Sequence, residues 1–192
     1  MKLNKIMLDK YNSMLNKNEK QSGFTLIEAM VVMIVGVMVL AGAAAGINKL
    51  FVANNVSTEA QNIQSIAANM KVVASSEGGF QDIAGNKEAI SFKVFPTNMK
   101  INDATDSVRN VWGGEVKVVG DTDKYTLTYP SVPTEECIQV ASKLRNASWN
   151  SLAIGDGAGA DQMVKPTSTL TDIQTACNPA GKDNVTLTFV GH

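Results

Sequence analysis

Gly23-Phe24-Thr25-Leu26-Ile27-Glu28 opens the stretch that decides the fold, because it sets one carboxylate just inside an apolar segment long enough to cross a bilayer. No charge occurs from Ala29 to Ile47. A helix needs about 20 apolar residues to span the hydrocarbon core, and an acid at its start is a residue that lipid rejects. Before the segment lies a polar tail, residues 1–23, with Lys2, Lys5, Lys10, Lys17 and Lys20 against Asp9 and Glu19. In a secretory signal the apolar region precedes the cut and is discarded. Here the order of polar and apolar residues places a cut at their border, which leaves the apolar helix as the mature N-terminus.

The motif from Gly23 to Glu28 resembles that of type IV pilins and prepilin-like proteins: a glycine, an aromatic or apolar residue, a few apolar positions, and a glutamate fifth in the mature chain. This resemblance implies an aspartic prepilin peptidase that cuts Gly23 from Phe24 and N-methylates the new Phe24 amine. A small residue at position 23 suits a membrane peptidase that grips extended backbone there. Later in the chain, the paired cysteines Cys137 and Cys177, the Trp112-Gly113-Gly114 segment, Val132-Pro133 and the length of the leader are similar to type IVb pilins of thin conjugative or enteric adherence pili. Phe24 is instead the residue usual in the a class, and the apolar helix contains no proline. The resemblance implies an α+β fold, the type IV pilin fold, in which a long N-terminal helix, transmembrane in its first half and amphipathic in its second, packs on an antiparallel sheet with short helices and one disulfide. The expected divisions are a leader at 1–23, a membrane or filament-core helix at 24–52, and a globular head at 53–192.

At 192 residues and 44% hydrophobic content, the chain can supply one modest head besides the span. The formal net charge is −1, and the leader contributes five lysines against two acids, so the remainder carries −4. That sign argues against nucleic acid as a partner. Lysines before the span, with only Lys49 just after it, place the leader in the cytoplasm and the head on the far side of the inner membrane. There Cys137 and Cys177 are expected to form a disulfide, with two unpaired buried thiols as the alternative. Both lack the ligand spacing of a zinc site.

Beyond the span, Ile63, Ile66, Ala67, Met70 and Val73 recur at helical spacing while Gln61, Asn62, Gln64, Asn69 and Lys71 fill the other positions. One helix is therefore expected from Phe24 to about Ser76, on the order of 80 Å long at 1.5 Å per residue, with Gly78-Gly79 stopping it. Gly42 and Gly46 bracket three alanines and mark its weak point, since each glycine costs a helix interior about 0.8–1 kcal/mol. Close approach of neighbouring helices is an equal reading of the same small residues.

Glu28 is tolerable in lipid only if it snorkels, is neutralised or finds a cation. Cleavage after Gly23 creates one in the Phe24 amine, on its own chain or on an identical neighbour. Pairing between neighbours would let Glu28 set the axial register of incoming subunits.

In the head, residues 78–111 predict an irregular connection with one apolar cluster from Ile90 to Pro96. Glu115 to Val119 and Tyr125 to Tyr129 alternate as the strands of a hairpin around Gly120 to Lys124. Pro133-Thr134-Glu135-Glu136 starts a helix that puts Cys137, Val140, Ala141 and Leu144 on one face. Thr169 with Asp172 starts another, with Leu170, Ile173 and Cys177 on a common side. Val185 to Val190 alternates as a strand whose sheet position the pattern leaves open.

Asp156-Gly157-Ala158-Gly159-Ala160-Asp161 lacks the closing glutamate of a calcium loop and reads as an exposed turn. Trp112 and Trp149 read as core or interface residues, with stacking on a sugar the sharper alternative. No cluster supports nucleophilic catalysis, and His192 stands alone at the chain end, so neither an enzyme nor a cofactor or metal site is expected. The expected function is a structural subunit that forms a homopolymer with identical subunits, built by prepilin peptidase and the inner-membrane pilus assembly machinery into a surface filament. Adherence, aggregation and conjugative mating, with a host or recipient cell surface as partner, are uses such a filament suits. The alternatives are a pseudopilin of a type II secretion system, a minor pilin or tip adhesin, and an uncleaved membrane-anchored domain.

Overall fold

The computed structural model describes residues 11, 25–156, 161–179 and 181–192. Two compact units divide the chain, Met1–Ile47 and Asn48–His192. Helix α1, Leu26–Glu77, begins in the first and ends in the second. Its continuity follows from its composition, with no proline and a helix-forming mixture of Ala, Met, Leu, Gln and Lys among the β-branched residues. It stops at Gly78, whose φ of +77° is a left-handed conformation that favours glycine.

Within the second unit, α1 turns one stripe inward: Val56, Ala60, Ile63, Ile66, Met70 and Val73 are buried in the core. The remaining elements follow as α2 (Asn86–Ser91), β1 (Lys100–Asn102), β2 (Ser107–Arg109), β3 (Glu115–Gly120), β4 (Tyr125–Pro133), α3 (Thr134–Leu144), β5 (Ser151–Gly155), β6 (Gln162–Val164), α4 (Leu170–Cys177) and β7 (Asn184–Gly191). The strands form a single sheet in the order β1-β2-β3-β4-β7-β5-β6, every pairing antiparallel. β3 and β4 form the expected hairpin, with Val118 opposite Leu127.

The last strand occupies the middle of the sheet, hydrogen-bonded to β4 on one side and β5 on the other. Apolar and threonine residues on both of its faces are explained by that position: Val185, Leu187 and Phe189 are buried in the core, and Thr186 on the opposite face is only 8% exposed. Pairing between β4 and β7 is interrupted by an irregularity between Tyr129 and Val132, where Ser131 takes a φ of +62°.

Helices α3 and α4 start where the sequence predicts. In α3, Cys137, Val140, Ala141 and Leu144 are buried together. In α4 a capping box forms between Thr169 and Asp172: the Asp172 amide donates to Thr169 Oγ1 at 3.2 Å, and the Thr169 amide to Asp172 Oδ2 at 2.7 Å. The backbone hydrogen bond from Thr169, then that of its side chain, holds the Asp172 carboxyl below the usual carboxylate range. α3 lies against β4 and β7, and α4 against β5 and β6.

Three expectations need correction. Residues 78–111 are not wholly irregular, since they contain α2 and the β1-β2 pair, whose elements of six, three and three residues are too short for a periodic signal. Leu170 does not share the inward side of α4: it is 55% exposed, and Ala176 joins Ile173 and Cys177 in the core. Asn62, expected among the polar positions of α1, is buried because it hydrogen-bonds with Glu59 and Asn98.

Candidate functional site

The expected membrane or filament-core segment, residues 24–52, lies mostly in the first unit. Gly23 and Phe24, the expected cleavage and methylation positions, lie outside the described residues, as does almost all of the leader. From Leu26 the backbone is helical, and Glu28 occupies the first turn. The Glu28 amide donates to Thr25 Oγ1 at 3.3 Å, which satisfies one of the donors a helix start leaves open, and the Ala29 amide makes the first intrahelical bond to the Thr25 carbonyl at 3.1 Å. The carboxylate of Glu28 is exposed and has no partner among the described residues. An acid there also benefits from the positive end of the helix dipole.

Residues 26–43 and 46–51 are all exposed, among them Met33, Leu40 and Phe51. This stretch is long and apolar enough to cross a membrane, and none of it is covered by the chain itself. So much exposed aliphatic surface far exceeds the patches a soluble monomer exposes and is consistent with a membrane-anchored helix. At Gly42 and Gly46 the backbone remains helical, and a Cβ at either would meet nothing within 4 Å.

In the head, Cys137 and Cys177 are joined, with their Cα atoms 5.8 Å apart and a separation of 40 residues. The bridge ties α3 to α4, and both cysteines are fully buried. Trp112 and Trp149 are half-buried against the core, and Trp149 lies on Phe189 with ring centroids 4.8 Å apart. Of the Asp156 to Asp161 loop, residues 157–160 lie outside the described residues.

The sequence reading missed a polar cluster beneath α1. Glu59, 3% exposed, accepts hydrogen bonds from the Tyr129 hydroxyl, from Asn62 Nδ2 at 3.2 Å and from the Val111 amide at 2.9 Å. Asn62 Oδ1 in turn accepts from Asn98 Nδ2 at 2.8 Å. Burial, followed by the charge of Glu59 and its hydrogen bond, holds the Tyr129 hydroxyl well above the usual tyrosine range. Only the presence of Glu59 inside an apolar stripe could have signalled this cluster, because its partners stand 52 and 70 residues away.

Two family matches bear on the chain: "PilS N terminal" over residues 53–191 and "Prokaryotic N-terminal methylation motif" over residues 19–44. The chain belongs to the PilS family and is a type IV pilin, a structural subunit of pili. Its fold is that of a type IV b pilin from Salmonella typhi, a crystal structure with 19% identity and a TM-score of 0.52, covering 69% of this chain and 97% of that one. The pilin TcpA from Vibrio cholerae El Tor biotype has 14% identity over 72% of this chain and 99% of that one, with a TM-score of 0.48. An NMR structure of PilS from Salmonella typhi has 21% identity over 70% and 94%, with a TM-score of 0.47. No curated protein matches at a significant level. The family implies prepilin processing and assembly into filaments of identical subunits, and the membrane-competent helix is consistent with anchoring before assembly.

Proposed function

We propose that the chain is made as a prepilin with a leader at residues 1–23, is cut between Gly23 and Phe24, is N-methylated on Phe24, and polymerises through residues 24–52 into a type IVb filament with the head at 53–192 outermost. The observation that carries this reading is the uncovered apolar stretch of α1, joined without a break to a helix start that holds one acid. Lipid and the interior of a helical polymer are alike in polarity, so transfer from membrane to fibre loses little hydrophobic stabilisation.

Glu28 supplies the specificity that apolar contact lacks, by pairing with the Phe24 amine of a neighbouring copy. Gly42 and Gly46 mark where α1 yields as a subunit is extracted by the inner-membrane assembly machinery. The Cys137–Cys177 bridge fits a head that stands in the periplasm and then on the cell surface. Adherence, aggregation and conjugative transfer are the uses this fibre suits.

Electron microscopy of cells with and without the intact chain tests the proposal. Long surface filaments that vanish on deletion, return on complementation and label uniformly along their length are the expected result. Labelling confined to a filament tip, or loss of secreted enzymes with no surface fibre, would overturn the major-subunit reading.

A further inference from the structure

The stripe that α1 buries in the head partly repeats after a shift of one helical turn. Ala60, Ile63, Ile66, Met70 and Val73 follow one another at intervals of three or four residues, so sliding the helix by three residues puts Ile63, Ile66 and Val73 where Ala60, Ile63 and Met70 stood, with Asn69 and Ser76 falling where Ile66 and Val73 stood. Hydrophobic contact is non-directional, so the three positions that stay apolar after the shift discriminate between the two arrangements only through side-chain size. Side chains with directional partners must therefore fix the register.

The polar contacts along the same stripe do not repeat in this way. Glu59 is held by the Tyr129 hydroxyl from β4 and by the Val111 amide from the turn after β2. Asn62, which donates to Glu59, is held by Asn98 from the loop after α2. Two turns beyond Asn62, Asn69 Nδ2 donates to the Val94 carbonyl at 2.9 Å. A one-turn shift would take the Glu59 carboxylate away from the Tyr129 hydroxyl and the Val111 amide, leaving it only Asn62 of its own helix and leaving both head donors without their acceptor.

The surroundings make that loss severe. Glu59 lines a cleft of ≈ 120 Å³ together with Asn62, Asn98, Lys100, Arg109 and Asn110. Lys100 and Arg109 are exposed on paired strands, and neither forms an ion pair with Glu59 among the described residues. Hydrogen bonds are thus the compensation for burying this carboxylate, and the two that the head supplies, from Tyr129 and Val111, exist in one register only. The turn that presents Val111 is itself fixed, since Asn110 Oδ1 accepts from the Gly114 amide at 2.8 Å and Asn110 Nδ2 donates to the Pro130 carbonyl at 2.7 Å.

We infer that Glu59 is a positioning residue: with Tyr129, the Val111 amide and the Asn62–Asn98 pair, it selects a single axial register between the head and the part of α1 packed against it. A lone polar residue in an apolar seam specifies register in the same way in coiled coils, at a cost in stability. The assignment concerns only residues 48–192 and stands independently of how the filament assembles.

Cysteine cross-linking in the full chain, held in detergent micelles, tests the assignment. The pair Ala68→Cys with Ser148→Cys, two residues that line one cleft away from the Glu59 group, reports the observed register, and Val72→Cys with Ser148→Cys reports a one-turn shift. Each pair is placed in the parent sequence, in E59Q and in the double variant E59L/Y129F. The parent should favour the first cross-link, E59Q should match it because an amide oxygen still accepts, and the double variant should raise the ratio of shifted to observed cross-link several-fold while keeping its melting temperature within a few degrees. An unchanged ratio in the double variant would overturn the assignment, as would a shifted E59Q. A double variant that fails to fold would also overturn it, by showing that the group supplies stability instead of a choice between registers.

Discussion

Replacing Cys137 and Cys177 by alanine removes a bridge across 40 residues between the buried faces of two helices, and the structure gives the expected cost. In the chain-entropy treatment, a closed loop of that length restrains the unfolded state by about 4 kcal/mol at 25 °C. For a head of this size, that loss corresponds to a fall in melting temperature of roughly 8–15 °C. Near-UV circular dichroism of the full chain in detergent reports the head selectively, because Trp112 and Trp149 both lie in it and α1 contributes helical signal only in the far UV. The pair should be removed together, since a single substitution leaves an unpaired thiol. A fall of under roughly 3 °C would refute the reasoning, because loop closure would then contribute almost nothing to a head whose α3 and α4 it joins.

Glu28→Ala should leave processing intact but lower filament yield by about 10- to 100-fold, the effect of losing a charge-assisted hydrogen bond of about 1.5–3 kcal/mol at each docking step; quantified shear fractions with normal yield would contradict it. Gly114→Ala should destabilise the head by about 1–3 kcal/mol in denaturant melts, because the added Cβ would stand 2.2 Å from the Pro130 carbonyl oxygen and displace the turn that Asn110 holds. Alkaline titration should unfold the head early. Burial pushes the Tyr125 hydroxyl up to about 12 from 10.0, and a raised folded value means stability that is complete below pH 10 and lost as the pH climbs toward 12. Tyr125→Phe should flatten that decline, as read by melting temperature against pH.

Elements whose signals lie within a dozen residues were legible in the sequence. The apolar run of α1, the alternation of β3 and β4, the acids at the start of α3 and the Thr169–Asp172 box each carry their own local physics. β1, β2 and β6, at three residues each, are set by their neighbours in the sheet and carry no period of their own. Leu170 misled because spacing along α4 identifies a side of the helix without saying how far the core extends, and its first residue lies beyond that edge. Glu59 escaped notice because a charged residue next to an apolar stripe normally faces solvent, and its justification comes from Tyr129, 70 residues later. The sequence position of Glu28 was informative for the opposite reason: its surroundings are local, apolar and continuous, so one acid stands out against them.

Intact-mass and N-terminal analysis of protein sheared from the cell surface tests the central claim most directly. The account predicts a main component that lacks residues 1–23, begins at Phe24 and carries one methyl group on its amine. Filaments built from chains that still begin at Met1 would contradict it, because the Phe24 amine that Glu28 is to meet would not exist.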